Sequence, residues 1–280
     1  MTGLRQILGD DWNITPAGGQ TGEAYIARSG EQKLFLKRNS SPFLAVLSAE
    51  GIVPRLLWTK RLENGDVITA QQWLKGRELR ANEMKSGSVA RLLRKIHKSE
   101  ALLEMLKRLG KKALTPYVIL DQIAERKQNI VERDRKAIDK ALSFLHGTVG
   151  QIQFSSRVVC HCDVNHNNWL LGADDHLYLI DWDNAVVADP ALDLGTLLYE
   201  YVEKSRWRIW LEQYGLDMDE NFRLRMHWYT MAQVVMFMLW HRKRGDRKEA
   251  ERLHQRLLRL NREAVVQWSS TSTPFLIAKR

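Results

Sequence analysis

Short β-prone runs separated by turn residues fill the first quarter of the chain. One such stretch covers residues 12–37 and contains a glycine-dense turn at 16–22. Two more runs, at 53–58 and 66–73, flank an Asn-Gly turn. Apolar runs that are bounded by turn residues of this kind are typical of antiparallel hairpins. We therefore expect the N-terminal part of the chain to form an antiparallel β-sheet.

From about residue 82 onward, the spacing of the apolar positions becomes helical. They recur at intervals of three and four residues, which places them on one helix face: Val89, Leu92, Leu93 and Ile96. Residues 115–147 are also helical in pattern. Asp189-Pro190 predicts a further helix, with the aspartate as N-cap and the proline as the first helical residue. The expected fold class is α+β.

A polar cluster lies between apolar runs in the centre of the chain. An apolar run at 158–160 precedes the polar segment 161–168, and a second apolar run follows it at 169–171. After a turn at 172–175, the chain returns as a partner strand that ends on Asp181. A hairpin of this length places the end of its second strand beside the start of its first. We therefore expect Asp163, Asn168 and Asp181 to converge. Two carboxylates and an amide oxygen suit Mg²⁺, with one carboxylate left to act as a base.

These spaced elements resemble the catalytic core of kinases. His161, Asp163 and Asn168 match the catalytic-loop signature H-x-D-x-x-x-x-N, and the hairpin ending in Ile180-Asp-Trp-Asp183 corresponds to the strands that lead to a metal-binding aspartate. The Ile-Asp-Trp-Asp string is similar to the aminoglycoside phosphotransferase and choline kinase family, whereas protein kinases have D-F-G there. The resemblance implies a two-lobed, protein-kinase-like fold with a β-rich lobe at 1–75 and a mainly helical lobe at 76–280.

The same resemblance implies roles for residues along the chain, with ATP and Mg²⁺ as cofactors. Asp163 would accept the proton of the acceptor hydroxyl, while Asn168 and Asp181 would hold Mg²⁺. Lys37 would bind the ATP phosphates. The remaining nucleotide contacts would come from the glycine loop and from the segment that links the lobes: Gly18, Gly19, Thr21, Gly22, Gln72, Trp73 and Leu74. Three further side chains would support these groups without touching the substrate: His161, Asp183 and Asp193.

Two positions depart from the family pattern. Cys162 stands where the family usually has glycine. The family pairs its lysine with a glutamate of the next helix, whereas residues 41–50 offer only Glu50, near the helix end, so the partner of Lys37 stays open. Four residues could be considered as zinc ligands: Cys160, His161, Cys162 and His166. A zinc site is disfavoured, because consecutive residues of a strand face opposite sides and the usual two-residue spacer between ligands is missing.

Composition favours an ordinary cytoplasmic protein. The chain has 280 residues with 44% hydrophobic content, enough to bury a sizeable core in one or two lobes. Its longest apolar-rich run, 228–240, is shorter than the roughly 20 residues that span a bilayer. The N-terminus lacks an apolar signal region. The two cysteines lie too close together in sequence for a useful structural disulfide. These features predict a cytoplasmic location without a membrane span.

Net charge is +10, and the excess is concentrated in residues 241–262. Such spacing favours a solvated helix face, and nucleic-acid binding through these helices is a weaker alternative. The expected acceptor is a small-molecule hydroxyl, because residues 182–192 are too few for the activation segment of a protein kinase. Positive charge disfavours cationic acceptors such as aminoglycosides and choline, so sugar- or nucleoside-like hydroxyls fit better.

A longer string narrows the resemblance. Residues 163–171, 177–183 and 188–195 resemble a Gram-positive bacterial subgroup that includes a streptococcal cell-cycle regulator. This resemblance implies an alternative function, in which the chain is an adaptor that binds a tubulin-like division protein and is recruited to the division site. The presence of Lys37 and Asp163 favours catalysis, because a pure scaffold needs neither.

Overall fold

The computed structural model describes residues 2–18, 23–127, 131–152 and 156–268. Gly19, Thr21 and Gly22 of the expected glycine loop lie outside the described residues. The chain divides into two compact units. The first comprises Met1–Lys112, His161–Val187 and Ile209–Leu216, and the second comprises Ala113–Cys160, Ala188–Arg208 and Asp217–Arg280. The lobe boundary expected between residues 75 and 76 stays a prediction.

The elements confirm the α+β class, with most strands early in the chain and most helices after them. The strands are β1 Asn13–Gly18, β2 Ala24–Ser29, β3 Gln32–Arg38, β4 Leu56–Arg61, β5 Val67–Gln72, β6 Gly76–Glu78, β7 Val158–Cys160, β8 Trp169–Gly172, β9 Leu177–Leu179 and β10 Val186–Ala188. The helices are α1 Thr2–Leu8, α2 Phe43–Ala49, α3 Gly87–Lys98, α4 Glu100–Arg108, α5 Pro116–Arg126, α6 Glu132–Thr148, α7 Ala191–Tyr201, α8 Trp207–Tyr214, α9 Glu220–Lys243 and α10 Arg247–Trp268.

The first unit contains an antiparallel sheet with the strand order β1-β2-β3-β5-β4. Both predicted hairpins are therefore confirmed. Their turns place Gly30 at a φ of 52° and Gly65 at 89°, in the left-handed region that glycine enters without steric cost. Leu36 on β3 is fully buried. Because successive strand residues point to opposite faces, the adjacent Lys37 projects from the other side of the sheet.

A second sheet of this unit, in the order β6-β8-β9, carries the central hairpin. The two apolar runs form the predicted hairpin, in which Trp169 of β8 pairs with Leu179 of β9. β6 approaches so closely that a Cβ on Gly76 would lie 2.2 Å from the Leu171 carbonyl oxygen. Only glycine fits there. The start of β8 and the end of β9, which adjoin the polar residues, are thereby held in a three-stranded sheet.

The predicted helical stretch after residue 82 forms α3. Its buried face contains Val89, Leu93 and Ile96, as their spacing predicted. His97 ends that face, and its Nδ1 lies 2.8 Å from the Tyr214 hydroxyl oxygen. A buried histidine that pairs with a tyrosine contributes to the core of this unit.

The second unit consists mainly of helices, and its longest, α9, is buried on most sides. The Trp228 indole Nε1–H donates to the Leu145 carbonyl over 3.0 Å, which joins α9 to α6. Asp134 of α6 is buried, with Arg242 Nε at 2.7 Å and His254 Nδ1 at 2.8 Å from its carboxylate. A buried carboxylate is stable only with such partners. None of the helices in the described ranges combines the length and apolarity that a membrane crossing requires.

Helix α7 begins at Ala191, so Pro190 precedes the helix instead of being its first residue. Asp189 nevertheless caps it, since Asp189 Oδ1 accepts the Ala191 N–H over 2.9 Å. Arg225 Nη1 donates to both oxygens of the same carboxylate at 2.7 Å. The arginine pairs with this buried carboxylate and orients it, which the sequence pattern did not predict.

Candidate active site

The site is built within the first unit, around the loop at residues 161–168. Three hydrogen bonds fold this loop onto itself. Asp163 Oδ1 accepts from Asn165 Nδ2 at 2.6 Å, and the Asp163 carbonyl accepts from Asn168 Nδ2 at 2.8 Å. Below them, the Trp169 indole donates to the Val164 carbonyl over 3.3 Å. The loop therefore holds Asp163 and Asn168 in a fixed relation, as expected from the motif.

His161 joins this loop to the end of β9. Its Nδ1 accepts the Asp163 N–H at 3.2 Å, so the ring is neutral with the proton on Nε2, and Nε2–H donates to the Ile180 carbonyl over 2.8 Å. The Trp182 ring packs edge-on against it at 4.7 Å. Because both ring nitrogens are occupied by the main chain, His161 has none left for a metal, which removes it from the disfavoured zinc site.

The end of the hairpin brings Asp181 beside Asn168. The Ile180 N–H donates to the Asn168 carbonyl over 2.8 Å, so the two expected metal ligands lie next to each other along the backbone. Asp181 adopts a left-handed conformation, with a φ of 65° and a ψ of 63°. Aspartate enters this region more readily than most residues with a side chain, although at some cost in backbone strain. Here it breaks the strand immediately before the short 3-10 helix at Trp182–Asn184.

Lys37 lies beside the two aspartates at the end of the hairpin. The sequence did not identify the anionic partner of this lysine. Lys37 Nζ lies 2.9 Å from both oxygens of Asp183 and 3.9 Å from Asp181 Oδ1. Glu50 follows α2 as its C-cap and forms no ion pair with Lys37 in the part of the chain that the structure describes. The sequence indicates only that an inward lysine requires an anionic partner, and the tertiary structure is what identifies Asp183 as that partner.

The residues at hand fit a magnesium ion. Asn168 uses its amide nitrogen as a donor to the loop, which leaves its Oδ1 as a ligand. The Asp181 side chain is 56% exposed, and among the described residues its contact to Lys37, at 3.9 Å, is the only ion pair that it makes, so its oxygens are also available. Carboxylate and amide oxygens are the hard ligands that Mg²⁺ prefers. Asn168 and Asp181 could hold the ion in the way that the sequence predicted.

The other expected site residues are less closely tied to this cluster. Gly18 ends β1 and pairs with Ala24. The Gln72 N–H donates to the Arg55 carbonyl over 2.8 Å, so it is not free for a nucleotide base. Trp73 has Lys33 Nζ 3.4 Å above its ring. Leu74 follows directly, and the roles of this linking segment stay predictions.

Asp193 belongs to the second unit, where it is fully buried in the first turn of α7. The first turn of a helix favours a negative charge, because the peptide dipoles point their positive ends toward it. Its expected support of the catalytic loop stays a prediction.

The backbone conformation at Cys162 explains why the family pattern usually has glycine at this position. Its φ is 68°, a left-handed conformation that costs a residue with a Cβ roughly 1–2 kcal/mol. Glycine has no such cost, which accounts for its usual presence at this place in the family. The family resemblance indicates that cysteine is unusual at this position, and the backbone conformation gives the physical reason for the usual glycine.

We therefore expect Cys162→Gly to raise the free energy of unfolding by about 0.5–1 kcal/mol, after allowance for the greater entropy of glycine in the unfolded chain. Urea denaturation followed by circular dichroism would measure the change. Cys162→Ala is the matched control, because it removes the thiol but retains the Cβ, and it should give no gain. An equal gain in both variants would show that the thiol, and not the backbone conformation, is responsible.

Comparison with known proteins identifies the class to which this site belongs. The model of the phosphotransferase enzyme family matches residues 14–225. The choline kinase LicA from Streptococcus pneumoniae is 18% identical, with a TM-score of 0.69 over 93% of this chain and 96% of that chain. Spectinomycin phosphotransferase APH(9)-Ia, solved with ADP and spectinomycin, is 15% identical, with a TM-score of 0.63 over 91% and 93% of the two chains.

A third structure, the GDP complex of aminoglycoside 2'-phosphotransferase-IIIa, is 12% identical, with a TM-score of 0.69 over 94% of this chain and 97% of that chain. These likenesses confirm the kinase-like fold, and the family match covers both the sheet with Lys37 and the hairpin with Asp163 and Asp181. The chain is therefore an enzyme and belongs to the phosphotransferase enzyme family.

Proposed function

We propose that this enzyme transfers the γ-phosphoryl group of ATP to a hydroxyl group of a small molecule. The observation that carries the proposal is the cluster in which Lys37, Asp181 and Asp183 meet at the end of the hairpin that also fixes Asp163 and Asn168. A lysine for phosphate, two oxygen ligands for Mg²⁺ and a separate carboxylate are the parts that phosphoryl transfer requires.

In this mechanism each side chain has one task. Asp163 orients the acceptor hydroxyl and accepts its proton, and the Asn165 amide that donates to Oδ1 holds the carboxylate in place. Asn168 and Asp181 hold Mg²⁺, which neutralises charge on the phosphates when it is bound. Lys37 binds phosphate oxygens. Asp183 holds the Lys37 ammonium in position, the task that a helix glutamate has in the usual family pattern.

ATP is the donor that fits best. Nucleotides accompany several related structures, including AMP with LicA and ADP with spectinomycin phosphotransferase. In this chain the expected cradle is the turn that begins at Gly18, together with the main chain of residues 72–74. Since the Gln72 N–H already bonds to Arg55, the N–H groups of Trp73 and Leu74 are the candidates for the base edge.

The acceptor that we propose is a sugar- or nucleoside-like hydroxyl. Residues 182–192 leave no space for the peptide platform of a protein kinase. The net charge of +10 opposes a cationic acceptor such as choline, even though choline kinases are among the related structures.

Binding of Mg·ATP tests this function directly. A ligand that binds only the folded state stabilises it by mass action, so millimolar Mg·ATP should raise the melting temperature by about 3 °C or more. Lys37→Met should abolish most of this shift, whereas Lys60→Met, which removes an exposed lysine from β4, should retain it. A screen of sugars and nucleosides for ATP consumption would then identify the acceptor. The absence of any shift in the unmodified protein would contradict the proposal.

A second candidate function is a role in cell division, with a tubulin-like division protein as partner. It is supported by the resemblance of residues 163–171 and 188–195 to the subgroup of the streptococcal cell-cycle regulator. Complementation of a deletion strain separates the two functions. If the protein acts as an adaptor, the Asp163→Asn variant should restore growth of the deletion strain, because this change leaves the outer surface intact. A failure to restore growth, with normal protein levels, would mean that catalysis carries the cellular role.

A further inference from the structure

A charged cleft lies within the second unit and shares no residue with the site around Asp163. Its volume is about 220 Å³. We call it the arginine cleft, and its charged lining consists of six side chains: Glu200, Lys204, Arg252, Arg256, Arg259 and Glu263. Four cations face two carboxylates, so the lining has a net charge of +2. Part of the basic run at residues 241–262 therefore lines a cleft instead of a fully solvated helix face.

The three arginines come from one face of α10. Their spacing of four and three residues brings them into line along the helix. Arg252 Nη1 lies 3.3 Å from Glu200, and Arg252 Nη2 lies 2.6 Å from Glu249, so both ends of its guanidinium are engaged. Arg256 also pairs with Glu200. One carboxylate thus serves two arginines within the cleft.

One arginine of the cleft has a buried donor that the described residues do not satisfy. The Arg256 side chain is only 12% exposed, and its Nη2 is buried without a hydrogen-bond partner in the described part of the chain. Burial and the nearby Arg252 and Arg259 lower the pKa of Arg256, whereas Glu200 acts against this effect. Arg259 is exposed and has no carboxylate within salt-bridge distance among the described residues, so its guanidinium is accessible to a ligand. A buried donor without a partner is costly, which indicates that a ligand completes it.

We propose that the arginine cleft binds a small phosphate-bearing anion. A phosphate group near neutral pH carries a charge that offsets the excess of +2, and its tetrahedral oxygens match the forked donors of arginine. The cleft volume of about 220 Å³ is enough for a phosphate and an attached group. Tyr199 and Trp207 also line it and offer aromatic surface for that group.

The proposal is tested by calorimetric titration of the full chain with inorganic phosphate and with phenyl phosphate in about 0.15 M NaCl. We expect saturable binding at one site. Arg259→Gln should weaken it about tenfold, the usual effect of losing a hydrogen bond to a charged group. Arg259→Lys should restore part of the affinity. Tighter binding of phenyl phosphate indicates an organic phosphomonoester as the ligand, and equal binding indicates free phosphate; both support a phosphate site.

Arg262→Gln is the matched control, because Arg262 is an exposed arginine on the same helix that does not line the cleft. It should leave the dissociation constant unchanged. An equal loss in Arg259→Gln and Arg262→Gln would reveal unspecific attraction to a basic helix and overturn the proposal. Binding that disappears in Lys37→Met but persists in Arg259→Gln would place the phosphate at the catalytic site, and would overturn it as well. Lack of saturable binding would have the same consequence.

Discussion

Asp163→Asn is expected to lower kcat by about 10²–10⁴-fold while the affinity for Mg·ATP stays the same. The amide that replaces the carboxylate cannot accept the proton of the acceptor hydroxyl. Asn165 donates to Oδ1, and the Asp163 main chain binds both His161 and Asn168. These contacts use groups that the variant retains, so the loop should keep its shape. Steady-state kinetics with the identified acceptor and equilibrium titration with Mg·ATP would measure the two effects.

The matched control is Asp175→Asn, the same chemical change in the turn of the same hairpin. Asp175 is exposed and has a φ of 60°, a conformation that asparagine tolerates well. This variant should keep full activity. If Asp163→Asn weakened nucleotide binding as strongly as it reduced turnover, Asp163 would be acting on the nucleotide, and the proposed division of tasks would be wrong.

The second large effect is expected from Asp181→Asn. Loss of one metal ligand removes several kcal/mol of charge stabilisation from the transition state, so kcat/KM should fall by at least about 10³-fold. In contrast to Asp163→Asn, the variant should also bind Mg·ATP more weakly, and it should need a higher Mg²⁺ concentration for half-maximal activity. Activity and nucleotide binding would both be followed across a magnesium titration at fixed total ATP.

Asp183→Asn provides the contrast for this experiment. The two aspartates are two residues apart and similarly exposed, at 56% and 58%, but Asp183 is the one that lies 2.9 Å from Lys37. Its loss should weaken nucleotide binding with or without magnesium and leave the magnesium requirement unchanged. If Asp183→Asn rather than Asp181→Asn shifted the magnesium requirement, the metal ligand would have been assigned to the wrong aspartate.

The sequence predicted those parts of the fold that depend on short-range patterns. Both N-terminal hairpins, the amphipathic face of α3 and the central hairpin of β8 and β9 followed from apolar spacing and turn residues. Each depends on the conformational preferences and the burial of a few neighbouring residues, which a local pattern records. The start of α7 was predicted one residue too early, because Asp189 caps it from outside the helix and is held by Arg225, a residue of α9.

The sequence by itself also predicted the chemistry that we propose for the site, since Asp163, Asn168 and Asp181 stand in a motif that resembles that of the phosphotransferase family. Only the tertiary structure decided which side chain holds Lys37, because Asp183 is 146 residues away in sequence and no local pattern couples the two. The same is true of the arginine cleft. The spacing of its arginines indicates a solvated helix face, and burial of Arg256 against the rest of its unit is the observation from which we infer a binding site there. Partners that are distant in sequence meet through packing, and packing is a property of the whole fold.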